Sequence, residues 1–272
     1  MKILRRLTFS LFVVALCLFI GFFVHEKLTV DDTLPELHVP EGTLRLSISD
    51  GEDALLQGVT AYDGKDGDLT EKVLVESISQ FISEKECIVT YAVVDADSHV
   101  AKGSRNICYT DYTPPKFYLK RPVIFRQGEE IDVRGLVGAW DCIDGDISDK
   151  VAILATDFKN STLGSFHISL QANNSRGDMI YLDLPVHVEP LSSLTLDFRL
   201  KEDLIYVKKG AEVNLRDYVE DAYFEGRRLP DYRIIITSNL DRNKIGIQQI
   251  HYLAVDGEGH QGHAILTVVV EE

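Results

Sequence analysis

Over most of the chain apolar residues recur at every second position, in short runs broken by Asp, Gly, Asn and Pro, which is the period of half-buried β-strands rather than helices. In the first third such runs cover Thr43 to Ile48, Gly58 to Tyr62, Val73 to Ile78, Cys87 to Val94 and His99 to Tyr109. The last two flank Asp95-Ala96-Asp97-Ser98, a turn-forming tetrapeptide, and so predict a hairpin. Two more hairpins follow from the same reasoning. Gly164 to Asn173 and Met179 to Val188 surround Asn174-Ser175-Arg176-Gly177, while Gly246 to Val255 and His263 to Val270 surround Asp256-Gly257-Glu258-Gly259.

One stretch breaks the alternation. Leu7 to Val24 runs for 18 residues without a charge, enough as a helix to cross about 27 Å of hydrocarbon. Lys2, Arg5 and Arg6 precede it, and His25, Glu26, Asp31 and Asp32 follow. This bias predicts a cytoplasmic head (residues 1–6), a transmembrane anchor (7–24) and everything beyond it outside the cell. A cleaved signal peptide would need small residues before the cut, and no A-x-A follows Phe22 or Phe23, so an uncleaved anchor is expected. The proline-bearing residues 25–40 read as a juxtamembrane linker.

Beyond the anchor the chain repeats itself. DGKDGDLTEKV from Asp63 to Val73 returns as DCIDGDISDKV from Asp141 to Val151, a module's length later. Gly51-Glu52-Asp53, Gly128-Glu129-Glu130 and Gly210-Ala211-Glu212 answer one another, as do Tyr62, Trp140 and Tyr223. Three modules follow, at residues 41–112, 113–190 and 191–272. The third keeps the frame but carries Phe-Glu-Gly-Arg-Arg-Leu-Pro from Phe224 where the paired aspartates stood. The expected fold is all-β: three tandem sandwiches after a single N-terminal helix.

Gly-Val-Thr-Ala-Tyr-Asp-Gly-Lys-Asp-Gly-Asp-Leu-Thr from Gly58, Val-Thr-Tyr-Ala-Val-Val-Asp from Val89 and the closing Asp111-Tyr112-Thr113-Pro114-Pro115 resemble the bacterial Ig-like repeat of surface proteins and pesticidal crystal proteins. The match is good in the first module and moderate in the second. In the third it rests on Ile250 to Asp256. The resemblance implies seven-stranded β-sandwiches that act as stalks or adhesive units, without enzymatic activity.

Composition narrows the chemistry. A formal net charge of -15, with no basic stripe beyond the first six residues, argues against nucleic acid. In the Ig-like sandwich that the resemblance implies, Asp63, Asp66 and Asp68 would emerge at the same pole as Asp95 and Asp97. Asp141, Asp144 and Asp146 would face Asp111 across a joint, and such convergence of hard oxygen ligands is what Ca²⁺ takes. Asp-Gly turn chemistry alone accounts for the same motif. Cys87 and Cys108 lie equidistant from the first hairpin turn and are expected to form a disulfide across it, the alternative being two buried thiols. His260 and His263 flank the last turn with no third ligand in view for a metal. Trp140, in the place of Tyr62 and Tyr223, reads as a packed aromatic beside the loop rather than a sugar-stacking platform. No G-x-S-x-G, H-E-x-x-H or P-loop occurs. The expectation is a membrane-anchored, non-enzymatic surface protein that meets an extracellular protein or glycan. The alternatives are a carbohydrate- or cell-wall-binding protein and an accessory subunit of an envelope enzyme.

Overall fold

The structure, a computed structural model, describes residues 2–29, 33–130, 132–190 and 195–272. The expected start of the third module at Leu191 and part of the linker, Asp31 and Asp32, lie outside them. The chain divides into two compact units, residues 1–111 and 112–272.

In the first unit, α1 (Lys2–Thr29) extends past both ends of the apolar stretch. Its Arg6–Val24 segment has a mean hydropathy of 2.7 and none of it is buried. The strands are β1 (Glu36–His38), β2 (Leu44–Leu46), β3 (Thr60–Asp63), β4 (Gly67–Asp68), β5 (Leu74–Ile78), β6 (Glu86–Val94) and β7 (Val100–Tyr109), with one short helix, α2 (Glu52–Leu55), between β2 and β3. They form a three-stranded sheet, β1-β3-β4, and a four-stranded sheet, β2-β7-β6-β5. β1 lies within the residues expected to be linker: Glu36 pairs with Tyr62, so the sandwich begins before residue 41. Alternation along β6 buries Cys87, Val89, Tyr91 and Val93. The Tyr91 hydroxyl donates to the Leu55 carbonyl at 2.7 Å, which pins α2 to the core.

The expected disulfide does not form. Cys87 pairs with Ile107 and Cys108 with Glu86, so the two cysteines are one register step apart. Because successive side chains in a strand point to opposite faces, that single step sends their sulfurs to opposite sides of the sheet, and they are not bridged.

The second unit runs the same plan twice. Its first sandwich contains β8 (Lys116–Leu119), β9 (Ile124–Arg126), α3 (Val133–Leu136), β10 (Val137–Asp141), β11 (Gly145–Asp146), β12 (Ala152–Thr156), β13 (Gly164–Asn173) and β14 (Met179–Glu189). Its second contains β15 (Asp197–Leu200), β16 (Leu204–Lys208), β17 (Val219–Phe224), β18 (Arg227–Arg228), β19 (Arg233–Thr237), β20 (Gly246–Val255) and β21 (Gln261–Glu271). The sheets are β11-β10-β8 with β12-β13-β14-β9, and β15-β17-β18 with β16-β21-β20-β19. In all three sandwiches the second strand lies parallel to the last and the other pairings are antiparallel. The three predicted hairpins stand where the alternation placed them.

The two sandwiches of the second unit are fused rather than strung. Leu204 and Ile265 from the later one belong to the same buried cluster as Phe117, Leu184 and Val186 from the earlier. The Phe117 amide donates to the Tyr206 hydroxyl at 3.0 Å, and Lys116 pairs with Glu271 at 3.0 Å. An apolar core crosses the joint, so these two sandwiches share one interior.

Close packing inside the last sandwich depends on Gly262. A Cβ there would lie 2.9 Å from the Leu196 carbonyl oxygen and from the Cβ atoms of Leu196 and Phe198, where β15 crosses β21. We expect Gly262→Ala to lower the stability of the second unit by about 1–3 kcal/mol, read as a shift of the urea midpoint at unchanged m-value.

Candidate functional site

The repeated aspartates form the same device in both of the first two sandwiches. Asp63 is buried at the end of β3, and its Oδ1 accepts from the amides of Lys65 and Asp66, each at 2.9 Å. Asp141 is buried at the end of β10 and accepts from the amides of Ile143 and Asp144, again at 2.9 Å. The second aspartate reaches the hairpin turn. Asp66 Oδ2 accepts from the Ala96 amide at 2.6 Å, and Asp144 accepts from the amide and hydroxyl of Ser175, both at 2.6 Å. The third caps a following 3-10 turn: Asp68 takes the Thr70 amide and Asp146 the Ser148 amide, each at 2.9 Å. An acceptor-only carboxylate facing two or three amides is a strong, charge-assisted arrangement, which explains the recurrence of the motif.

These bonds also set the electrostatics. Burial works to raise the Asp144 carboxyl, but the Ser175 hydroxyl, Lys150 and the Ser175 amide outweigh it and hold it below the ordinary carboxylate value. The Thr70 hydroxyl and amide likewise lower Asp68, and those of Ser148 lower Asp146. Asp111 is engaged within the first unit, accepting from the Ser47 hydroxyl at 2.5 Å and the Ile48 amide at 2.9 Å, and both donors lower it. Among the described residues no three His, Cys, Asp or Glu side chains converge as a metal site. The calcium expectation therefore finds no assembled ligand set at Asp63, Asp66, Asp68, Asp111, Asp141, Asp144 or Asp146. Their oxygens face protein donors.

In the third sandwich Phe224 stands where Asp63 and Asp141 stand. It stacks on His260 of the last hairpin turn with ring centroids 4.3 Å apart. His260 Nδ1 meets Asp256 at 2.7 Å, as His99 meets Asp95 at 2.8 Å in the first sandwich. Loop and hairpin are still held together, now by an aromatic stack.

Tyr112, from the Pro-Pro linker, belongs to the second unit. It is buried, donates to Asp178 at 2.6 Å and accepts from Asn174, which also donates to Asp141 Oδ2 at 3.1 Å. Burial and then Asp178 raise its phenol well above the ordinary value. The linker thus supplies a core residue.

The sequence missed a histidine cluster at the fused joint. His187 on β14 and His251 on β20 meet edge to face at 5.5 Å, and His251 stacks on His263 of β21 at 5.3 Å. His263 Nδ1 binds Glu189, and its Nε2 faces His251 Nδ1 at 3.2 Å. His187 Nε2 meets the Gln249 carboxamide oxygen at 2.6 Å, while its Nδ1 meets the Ser165 hydroxyl at 2.9 Å. A carboxamide oxygen only accepts, so Nε2 of His187 carries the proton. Neutral rings satisfy every one of these bonds. His260 is engaged at its own turn, so the His260–His263 pairing considered for a metal is not built.

The aromatic expectation is also corrected. Trp140 is 58% exposed and Tyr62 59%, so neither is packed away beside its loop. The third equivalent, Tyr223, is covered by the Arg199 guanidinium at 4.7 Å.

No family model matches the chain. An uncharacterized 81.3 kDa protein of Acholeplasma phage L2 is 29% identical over 140 residues, which is 49% of this chain and 18% of that protein. The chain thus spans less than a fifth of that relative's length. Among solved structures, the M60 catalytic domain with two CBM51 domains from Clostridium perfringens ZmpB aligns at 15% identity over 89% of this chain and 31% of that one, with a TM-score of 0.23. Protocadherin Gamma B2 extracellular cadherin domains 1–5 align at 11% identity over 69% and 46%, with a TM-score of 0.21.

Two expectations follow. Asp141→Ala strands three donors in a buried site and is expected to cost about 3 kcal/mol or more, whereas Asp68→Ala, at an exposed turn, costs much less; added Ca²⁺ leaves the wild-type melting temperature unchanged. Differential scanning calorimetry reads all three. The second concerns pH. Burial, then the neighbouring His263 and His187, depress His251 below its ordinary 6.5, with Glu189 opposing. The unfolded chain therefore takes up this proton first as pH falls, so the stability held above pH 6.5 is lost below it. The melting temperature of the second unit should drop between about pH 7.5 and 5.5, and His251→Gln should flatten that drop.

Proposed function

We propose that this protein is a membrane-tethered, non-enzymatic binding protein of the cell envelope, with Ig-like sandwiches displayed outside the cell on an uncleaved N-terminal helix. The observation that carries this reading is one sandwich plan built three times behind an exposed apolar helix, with the repeated acidic residues committed to holding the first two sandwiches together. Carboxylates bound to backbone amides are not poised as acid, base or nucleophile. What the repeats offer a partner is surface. The bacterial Ig-like resemblance agrees with this use, and so does a strongly anionic chain, which stays soluble while crowded near a membrane.

The orientation follows from Lys2, Arg5 and Arg6 ahead of the apolar segment. With a C-terminal epitope, intact cells should stain without permeabilisation. The protein should stay in the membrane pellet through alkaline carbonate and leave it only in detergent. Staining that needs permeabilisation, or release by carbonate, would overturn the reading.

A further inference from the structure

A cleft of about 580 Å³ lies where the two fused sandwiches meet, lined by strand residues of β8 and β10 on one side and by the segment entering β16 on the other. Its chemistry is unusual for a joint. Trp140 and Tyr118 line it and stand on the outward face of the three-stranded sheet. Tyr118 pairs with Gly138, and a Cβ on that glycine would fall 2.3 Å from the Tyr118 ring. The missing side chain lets the ring lie across the strand, with its hydroxyl 3.2 Å from Ser148 Oγ. Trp140 follows two residues on, on the same face, with its indole over Gly145. Two aromatic faces are therefore kept open to water where a folded sheet gains nothing by exposing them.

Across the cleft stands Asp203. Its Oδ1 is buried without a hydrogen-bond partner, and so is Oγ1 of Thr267, whose amide donates to the Asp203 carbonyl at 2.9 Å. Burial raises the Asp203 carboxyl to about 6. An unmatched buried acceptor is costly to the fold and calls for an explanation. The cations at the cleft are already placed. Lys116 sits over the Tyr206 ring at 4.5 Å and pairs with Glu271, Lys120 donates to the Arg134 carbonyl, and Lys201 donates to the Asp217 carbonyl.

We propose that this cleft binds a saccharide, stacked on Trp140 and Tyr118 with a hydroxyl donated to Asp203. A pyranose combines an apolar C–H face with hydroxyl donors at its rim, which matches an aromatic platform facing a half-buried carboxylate. A cationic ligand fits less well, because Lys116 already occupies the Tyr206 face and three lysines, Lys116, Lys120 and Lys201, line the cleft against two carboxylates, Glu202 and Asp203. This deepens the proposed binding role by naming the ligand class. The membrane-orientation experiment does not depend on it, so the two can fail separately.

Trp140 is the sole tryptophan of the chain, so indole emission reports on this cleft alone. The full chain, held in a detergent with no sugar headgroup, would be applied to a glycan microarray, and a retained saccharide then titrated against its fluorescence. At least one saccharide should be retained and should shift the emission saturably. Trp140→Ala and Asp203→Asn should each weaken retention at least tenfold. Asp203→Asn should at the same time raise the melting temperature at pH 7, since a carboxyl raised by burial destabilises the fold once ionised. No saccharide retained above the Trp140→Ala level overturns the proposal. So does retention untouched by both folded variants, or an emission change produced by tetramethylammonium and by no sugar.

Discussion

A buried carboxylate met by two amides of its own loop holds each acidic sandwich together. Asp63 and Asp141 lie at the ends of central strands, where an ionised side chain without donors would be prohibitive. Two amides of the following loop meet each one, so the loop has a single shape, and that shape delivers the next aspartate to the hairpin turn. The turn is thereby locked to the opposite sheet. One favourable local arrangement thus fixes a long-range contact, which is why the acidic stretch survives as a block rather than as scattered residues.

Alternation and turn chemistry made the strands and hairpins readable, because a half-buried strand must alternate and a tight turn must use Asp, Asn or Gly. The cysteine pairing was not readable. Its outcome hangs on whether Cys87 faces Ile107 or Cys108, and turn composition leaves that parity open by one residue. The fused core was hidden for another reason: Leu204 and Ile265 look like ordinary inward-facing strand residues, and nothing in their spacing says whose interior they enter. The same limit applied to Trp140, because two-fold alternation tells which residues share a face but not which face is wet. The histidine cluster draws on β14, β20 and β21, and no local pattern brings His187 to His251.

The third sandwich shows which part of the device is essential. Phe224 replaces the buried aspartate, and the amide bonds go with it, yet the loop still meets the hairpin turn through His260. The requirement is a tie between loop and turn rather than a negative charge. An aromatic stack is a weaker constraint on direction than a set of charge-assisted bonds.

The interior shared by the last two sandwiches has a consequence for the surface. Fusing two sandwiches removes apolar area from water at the joint and sets side chains from different modules at its rim in one register. Trp140 and Tyr118 come from one module and Asp203 and Tyr206 from the other, so neither module alone assembles that cleft. The amide of Phe117 on the hydroxyl of Tyr206 fixes the angle between the two halves, next to the aromatic pair. A flexibly strung repeat array would let those groups drift apart, whereas a shared core holds them at fixed separation. The geometry that joins the two interiors is the same geometry that brings side chains of two repeats to one cleft.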